Sequence, residues 1–394
     1  MIPIGANLSL EPRLRRPLPK GKGAGIRFPI PVCAPVLRGN EEKYVRKCIR
    51  EGWVSSLSPM VRLFEKKFAR KIGAARAVSC SSGTAALHLA LKAAGVGPGD
   101  EVVIPAFAMI AVANAVTYCG AKPVLVDCDS STWNLDAESL PARMSARTRA
   151  VIAVHTYGRP ADLTRLAGLC RKRRVRLIED AAEALGGGFR GRALGTFGDA
   201  GVFSFYANKV MTTGEGGMVV TDNSSMAERA RFLRDFAFGK ERHFWHAEIG
   251  YNYRMSGLQA AVGLAQLERL NRLQLARDRN ARIYRAALEG IPGLRLPLPC
   301  QGHSNWVFGT VVEPEFGISR DALRWFLARN GIETRGFFIP IHRQPAYRRM
   351  FTGEHYPVSE FLGNNGLYFP SSSALTRKEI GYICATIKRA RNLR

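Results

Sequence analysis

The chain has 394 residues, of which 46% are hydrophobic and 23% are charged, and its formal net charge is +26 at pH 7. This composition is typical of a globular protein, and the length suits one large domain with a smaller one. Apolar runs fall short of the ~20 residues that a membrane span needs, and the first residues lack the apolar core of a signal peptide. We therefore expect a cytoplasmic protein that makes no membrane contact.

The excess positive charge is concentrated at 13–17, 171–176 and 388–394. Such an excess favours acidic partners, either nucleic acid or a phosphate-bearing small molecule, although a solvated surface is the ordinary alternative. Two of the clusters are terminal, and the third has no interleaved aromatic residues of the kind that stack on bases. We therefore do not expect nucleic acid as the main partner.

The eight cysteines show no paired spacing and no Cys-x-x-Cys motif. Most of them lie within apolar runs, which indicates reduced thiols in a core. The closest histidine pair has no cysteine or carboxylate cluster around it, so the sequence predicts no metal site.

Strand and helix patterns alternate along the first two thirds of the chain. The predicted strands are 101–105, 122–127, 150–155, 175–180 and 200–205, and the helices between them include 84–95 and 161–174. Continuous apolar strands joined by helices indicate an α/β fold with a mostly parallel, doubly wound sheet that is covered on both faces. Ligands bind such sheets at the carboxyl ends of the strands.

A long helical pattern begins at Ser256, and shorter mixed elements follow it. They are a strand near 306–312, a helix at 321–330 and a terminal helix from about 376. This mixture predicts a smaller C-terminal α+β domain. The predicted organisation is a basic flexible tail at 1–27, a large domain at 28–262 and a small domain at 263–394.

Reactive side chains follow two of the predicted strands. Asp180 ends the strand at 175–180, and Glu183 comes three residues later. Lys209 follows the strand at 200–205 and precedes a glycine-rich turn. Taken singly, neither residue indicates a functional site. A lysine beside glycines is usually a solvated loop residue, and an aspartate at the end of a strand is more often a helix cap.

Polar groups suited to a phosphate lie at the same predicted edge. Ser82, Gly83 and Thr84 begin the helix at 84–95, where free backbone N–H groups and the helix dipole attract an anion. The Ser204 hydroxyl ends a neighbouring strand. A lysine, a carboxylate and phosphate donors are what pyridoxal 5'-phosphate requires for its aldehyde, its pyridine nitrogen and its phosphate.

The motifs and their order resemble the DegT/DnrJ/EryC1/StrS family of sugar aminotransferases, which are fold-type-I enzymes dependent on pyridoxal phosphate. The resemblance runs from about Phe28 to the end and includes "GWVSS", "SSGTAALHLAL", "EDAAEALGG", "GVFSFYANKVMTTGEGGMV" and "GYNYRMSGLQ". It implies that Lys209 is the Schiff-base lysine and that Asp180 pairs with the pyridine nitrogen. It also places Glu183 near the ring hydroxyl.

The resemblance further implies that Ser82, Gly83, Thr84 and Ser204 contact the cofactor phosphate. Asn252 matches an asparagine that reaches the phosphate of a neighbouring subunit, which implies a homodimer with shared active sites. The sequence departs from the family where an aromatic residue usually stacks on the cofactor ring. Ala108 and Met109 stand there, and a thioether packs against a ring more loosely.

Within the family the sequence looks most like the GDP-perosamine synthase branch. This implies amino transfer from L-glutamate, through pyridoxamine phosphate, to the C4 ketone of GDP-4-dehydro-6-deoxy-D-mannose, for an O-antigen or another polysaccharide. The positions where the family contacts the nucleotide sugar are Trp53, Ser56, His155, Arg335 and His342. Each could instead have a purely structural role. Trp53 could be a core residue, His155 a buried imidazole with its hydrogen bonds satisfied, and Arg335 part of a surface ion pair.

Other functions remain open at this point. The acceptor sugar could be linked to dTDP, UDP or CDP, or the protein could dehydrate or deaminate a sugar. The deaminating branch typically has histidine at the lysine position, so Lys209 argues against it. A non-enzymatic basic binding protein on the same fold is the third alternative.

Overall fold

A computed structural model describes residues 21–23, 26–239, 242 and 244–392. In chain order the strands are β1 (Gly21–Gly23), β2 (Ile26–Phe28), β3 (Arg76–Cys80), β4 (Glu101–Pro105), β5 (Lys122–Val126), β6 (Thr148–Val154), β7 (Arg176–Asp180), β8 (Gly188–Phe189), β9 (Arg192–Ala193), β10 (Ala200–Ser204), β11 (Gly217–Thr221), β12 (Leu294–Arg295), β13 (Phe308–Val312), β14 (Arg335–Gly336) and β15 (Gly366–Phe369). The α-helices are α1 (Glu41–Arg50), α2 (Pro59–Ile72), α3 (Gly83–Ala93), α4 (Ala111–Tyr118), α5 (Leu140–Arg143), α6 (Leu163–Arg173), α7 (Ser224–Arg234), α8 (Gly257–Glu268), α9 (Leu270–Leu288), α10 (Arg320–Arg329), α11 (Pro357–Asn365) and α12 (Arg377–Ala390).

The central sheet has seven strands in the order β3-β11-β10-β7-β6-β4-β5. From β10 to β5 all neighbours are parallel, whereas β11 runs antiparallel to both β10 and β3. The predicted doubly wound, mostly parallel sheet is confirmed, with all five predicted strands in it. Strands β3 and β11 were missed by the sequence patterns.

The carboxyl ends of β3, β4, β6, β7 and β10 lie along one edge of this sheet. The amino end of the antiparallel β11 is at the same edge, because Gly217 pairs with Ser204 on one side and with Cys80 on the other. Groups that follow Cys80, Asp180 and Ser204 are therefore brought to a common rim, as expected for a ligand site in this kind of sheet.

A second sheet has four strands in the order β12-β13-β15-β14, and all of its pairings are antiparallel. The long helical pattern after Ser256 is divided at Arg269 into α8 and α9. Leu273 on α9 packs in the core of the large sheet, whereas Leu288 at its other end packs in the core of the small sheet. The domain boundary at 262 and 263 stays a prediction.

The predicted flexible tail falls largely outside the described residues, since residues 1–20, 24 and 25 are not among them. At its end, β1 and β2 pair as an antiparallel hairpin. Among the described residues, no helix is both long and apolar enough to cross a bilayer. The same residues contain no group of three or more His, Cys, Asp or Glu side chains placed to hold a metal ion.

Four buried phenylalanines form a cluster between α2 and β10. Phe64 and Phe68 on α2 meet Phe203 and Phe205, and the Phe68 ring centroid lies 5.2 Å from that of Phe203 and 5.4 Å from that of Phe205. Aromatic pairs at such separations add to the free energy gained from burial. This cluster fixes the strand whose end carries Ser204 and leads to Lys209.

Replacing Phe68 by alanine tests this support. The cavity left in a fully buried cluster should lower the free energy of unfolding by about 3–5 kcal/mol, measured by denaturant titration. Leu57→Ala is the control, because that side chain is 83% exposed and should change stability by about 0.5 kcal/mol or less. Similar losses in the two variants would contradict the role of the cluster.

Candidate active site

The start of α3 forms an anion nest against the end of β10. Ser82 caps the helix, and its Oγ accepts a hydrogen bond of 3.1 Å from the Ala85 N–H. A Cβ placed on Gly83 would lie 2.8 Å from the Cβ of Ser204, so only glycine permits this close approach without a shift. The first backbone N–H groups of a helix have no partner within the helix and can bind an anion. The structure thus brings Gly83, at the start of α3, against Ser204. That Ser82, Gly83, Thr84 and Ser204 contact a phosphate stays a prediction.

Lys209 lies in a turn that follows β10. Its backbone N–H donates to the Tyr206 carbonyl at 2.9 Å, which fixes the turn. Its Nζ is 3.9 Å from Glu183 Oε1, and the side chain is only 13% exposed. Burial lowers the pKa of Lys209, while the nearby carboxylates of Glu183 and Asp180 oppose that shift. A lowered pKa increases the fraction of the amine that is unprotonated near neutral pH, and only the unprotonated amine can act as a nucleophile or accept a proton.

Asp180 ends β7 and is buried. Its Oδ1 accepts a hydrogen bond of 3.0 Å from the Ala182 N–H, whereas its Oδ2 has no hydrogen-bond partner among the described residues. Burial raises the pKa of Asp180, and the Ala182 hydrogen bond and the charge on Lys209 counteract the rise. One oxygen of this carboxylate is therefore held in place and the other is left for a cationic partner.

Glu183 is held between two loops. Its Oε2 accepts a hydrogen bond of 2.8 Å from the Tyr157 N–H, and its carbonyl accepts one of 2.8 Å from the Ser304 hydroxyl. Burial raises the pKa of Glu183 to about 7, and the proximity of Lys209 opposes the increase. Near neutral pH this carboxyl group can therefore hold or release a proton beside the lysine amine.

The structure adds residues that the sequence patterns did not single out. Trp306 is buried, and its ring centroid lies 3.9 Å from Lys209 Nζ in a cation–π contact. The Trp306 Nε1–H donates to the Asn208 carbonyl at 2.9 Å. Buried Arg277 donates to the carbonyl of Trp306 and, at 3.3 Å, to that of Lys209. These residues come from α9 and the loop before β13, and no local motif marks them.

His155 is a buried imidazole whose two ring nitrogens both have partners within the chain. Its Nε2 is 3.0 Å from Glu179 Oε2, and its Nδ1 accepts a hydrogen bond of 3.1 Å from the Ala161 N–H. The side chain is fully buried, so neither ring nitrogen is left for a ligand. His342 is also buried, and its Nε2 lies 2.9 Å from Glu360 Oε1.

The other predicted substrate contacts lie at the surface. Trp53 is 43% exposed, which rules out a core role, and Ser56 is half-buried in the same segment. Arg335 is exposed and forms an ion pair of 2.6 Å with Glu333. Among the described residues, none of these side chains bonds to Lys209, Asp180 or Glu183.

Two further predicted cofactor residues are solvent-accessible. Met109 is 50% exposed, while its neighbour Ala108 is buried. Asn252 is exposed, and its backbone forms a bridge with Asp235. A groove of about 1150 Å³ lies between α2 and α7 and contains Ser56 but not Lys209. This groove is therefore not the site of the Lys209 amine.

The seven-stranded sheet, with a buried lysine and two carboxylates at its carboxyl edge, defines a fold-type-I pyridoxal-phosphate-dependent enzyme. The chain belongs to the DegT/DnrJ/EryC1/StrS aminotransferase family, whose profile matches residues 35–388. The resemblance inferred from the motifs is confirmed.

Characterised relatives cover nearly the whole chain. The GDP-perosamine synthase of Caulobacter vibrioides is 41% identical over 362 residues, which is 91% of this chain and 97% of that protein. The GDP-perosamine synthase of Vibrio cholerae is 39% identical over 361 residues, covering 91% and 98%. Among solved structures, the aminotransferase TlmJ from Streptoalloteichus hindustanus aligns with a TM-score of 0.86 at 33% identity, over 92% of this chain and 98% of that one. DesV from S. venezuelae, solved with a ketimine intermediate, aligns with a TM-score of 0.84 at 32% identity, over 89% and 94%.

The raised pKa of Glu183 predicts a pH dependence of stability. Between the ordinary value of 4.5 and about 7, the unfolded chain loses this proton while the folded chain keeps it. Stability from this group is therefore lost as pH rises through that window, and Glu183→Gln removes the effect. In cofactor-free protein we expect the unfolding free energy of wild type minus that of the variant to fall from pH 4.5 to 7, measured by denaturant titration.

Glu42→Gln is the matched control, because that side chain is 82% exposed. A wild-type-minus-variant difference for Glu183→Gln that stays flat or rises across the window would contradict the assignment.

Proposed function

We propose that this protein transfers the amino group of L-glutamate to the C4 ketone of GDP-4-dehydro-6-deoxy-D-mannose and so forms GDP-perosamine, with pyridoxal phosphate as its cofactor. The observation that carries the proposal is the buried Lys209 amine, 3.9 Å from Glu183, at the sheet edge that also holds Asp180 and the α3 nest. The identity to GDP-perosamine synthases over most of the chain supports the choice of acceptor.

The residues present fit the cofactor. The close approach of Gly83 and Ser204 leaves the α3 N–H groups and a hydroxyl for a phosphate. The Asp180 carboxylate has Oδ2 available for a protonated pyridine nitrogen. Lys209 would hold the aldehyde carbon covalently, and Glu183 would lie near the ring hydroxyl. When bound, the cofactor supplies a carbonyl that carries the amino group and a ring that accepts electrons.

Lys209 also acts as acid and base in this proposal. Burial lowers its pKa, so its free amine can take a proton from the α-carbon of glutamate at Nζ and return a proton in the second half of the reaction. Trp306 covers the amine at 3.9 Å and excludes water from it. Arg277, bound to the Lys209 carbonyl, keeps the backbone of the turn in place.

We place the nucleotide sugar on the rim above this centre. Arg335 on β14 pairs in register with Tyr368 on β15, whose ring lies 5.8 Å from that of Tyr157. The backbone N–H of Tyr157 donates to Glu183, so these contacts link the strand that carries Arg335 to Glu183. A guanidinium here suits a diphosphate. Trp53, Ser56 and His342 are proposed as further contacts.

We also propose that the enzyme is a homodimer. Asn252 is exposed and makes no side-chain hydrogen bond within the described part of its own chain, so its amide is available to a neighbouring subunit. Asn252 matches a family asparagine that reaches the cofactor phosphate of the neighbouring subunit, and we propose the same contact for it.

Lys209→Ala tests the cofactor site. In protein saturated with pyridoxal phosphate, the visible absorbance band of the bound cofactor should be present in wild type and absent in the variant. Borohydride trapping followed by mass spectrometry should locate the adduct at position 209. Lys67→Ala, at an exposed lysine on α2, is the control and should retain both signals. An adduct at another lysine in wild type would overturn the assignment.

A panel of acceptors tests the sugar. Incubation with glutamate and GDP-, dTDP- or UDP-linked 4-keto-6-deoxysugars should yield an amino sugar fastest from GDP-4-dehydro-6-deoxy-D-mannose, detected by mass spectrometry. Formation of 2-oxoglutarate with no amination of the GDP sugar would refute the acceptor but retain the aminotransferase chemistry.

A further inference from the structure

A second basic groove, of about 780 Å³, lies between α9, the segment at 36–38 and the start of α12. Lys209 is not among its lining residues. Six cationic side chains line it: Arg38, Arg269, Arg272, Arg279, Arg377 and Lys378. The rest of its lining is mostly apolar and includes Leu273 and Leu275, with Ser373 and Thr376 as polar members.

These cations lack counter-charges. No lining residue of the groove is acidic, and none of the six takes part in an ion pair within the part of the chain that the structure describes. Arg279 donates instead to the Leu375 carbonyl and the Asn280 side chain. By contrast, in the groove between α2 and α7, Arg231 and Arg234 both pair with Glu65.

The carboxylates nearest in sequence are directed elsewhere. Glu379 completes the capping box of α12, where its Oε2 accepts hydrogen bonds from the N–H and hydroxyl of Thr376. Glu268 accepts hydrogen bonds from Tyr44 and Asn40. Asp278, which precedes Arg279, accepts hydrogen bonds from the side-chain amides of Gln274 and Asn305. None of these three carboxylates forms an ion pair with the cations of the groove.

The arrangement of the cations increases their mutual repulsion. Arg377 and Lys378 lie in the first turn of α12, where the helix dipole is already positive, although helices usually place cations in the last turn. Arg272 and Arg279 are seven residues apart on α9 and so share one face of the helix. An anion between α9 and α12 would relieve this repulsion.

The first twenty residues are a poor source of such an anion. Residues 1–20, which lie outside the described range, contain four Arg or Lys residues and only Glu11 as an acid. A second copy of the chain carries the same net charge of +26. The occupant is therefore expected to be a separate acidic molecule.

The size and lining favour a small ligand. The volume is within the ~300–1000 Å³ that small-molecule sites occupy, and the lining contains no aromatic residue on which nucleic-acid bases could stack. Arg279 is ten residues after Arg269, which caps the start of α9, and ten helical steps rise about 15 Å, which is too far for one phosphate to contact both ends. We propose that this groove binds a small molecule with at least two phosphate groups, whose apolar part packs on the exposed Leu275. This inference does not depend on the proposed function.

Calorimetric titration with inorganic tripolyphosphate tests the groove. The protein is first saturated with pyridoxal phosphate, so that the α3 nest is not the site measured. We expect wild type to bind at low ionic strength and Arg272→Glu/Arg377→Glu to weaken binding on the order of tenfold or more. Both side chains are exposed and make no hydrogen bond among the described residues, so the variant should fold.

Arg173→Glu/Arg349→Glu changes the net charge equally at exposed positions outside the groove and should bind as wild type does. Equal binding by the groove variant and wild type would overturn the proposal. So would wild type that binds heparin or phosphatidylglycerol vesicles but not tripolyphosphate, since the site would then serve a polymer or a membrane. Because the readout is phosphate binding, failure of the cofactor to bind would contradict the proposed function and not this inference.

Discussion

The structure depends on keeping one amine and two carboxyl groups out of water at a single edge of a sheet. Burial by itself disfavours every charge in the group, lowering the pKa of Lys209 and raising those of Asp180 and Glu183. The attraction between the Lys209 amine and the two carboxylates opposes these shifts, and the pKa of Glu183, about 7, leaves that group close to a balance between its charged and neutral forms. Such a balance is useful for proton transfer near neutral pH, because little free energy separates the two states.

The fold supplies this cluster by collecting strand ends that are distant in sequence. The parallel strands β7 and β10 bring Asp180 and the Lys209 turn together, and the antiparallel β11 brings the α3 nest next to Ser204. Trp306, in the loop before β13, then covers the amine, while Arg277 on α9 donates a hydrogen bond to the Lys209 carbonyl in the turn. The helix α9 packs in both cores and thereby connects the cover to the site.

Phosphate recognition is common to the two proposals made for this chain. The proposed cofactor and nucleotide sugar both carry phosphate groups, and the α3 nest and Arg335 offer them donors. The groove at α9 and α12 has the same character without any catalytic group in its lining. An excess of cations without counter-charges raises the free energy of the folded state, and bound anions lower it again.

The sequence by itself determined the alternation of apolar strands and helices, the doubly wound sheet, and the convergence of Lys209, Asp180, Glu183 and the α3 start, because these follow from local periodicity and from the ends of parallel strands. It did not reveal β3 and β11, whose pairing is set by neighbours far along the chain, nor the break at Arg269 within the long helical pattern. Only the tertiary structure decided that His155 is satisfied internally, that Trp53 is exposed, and that Trp306 and Arg277 adjoin Lys209. Burial and hydrogen bonding between distant segments leave no local pattern, so no reading of residues in order could have supplied these contacts.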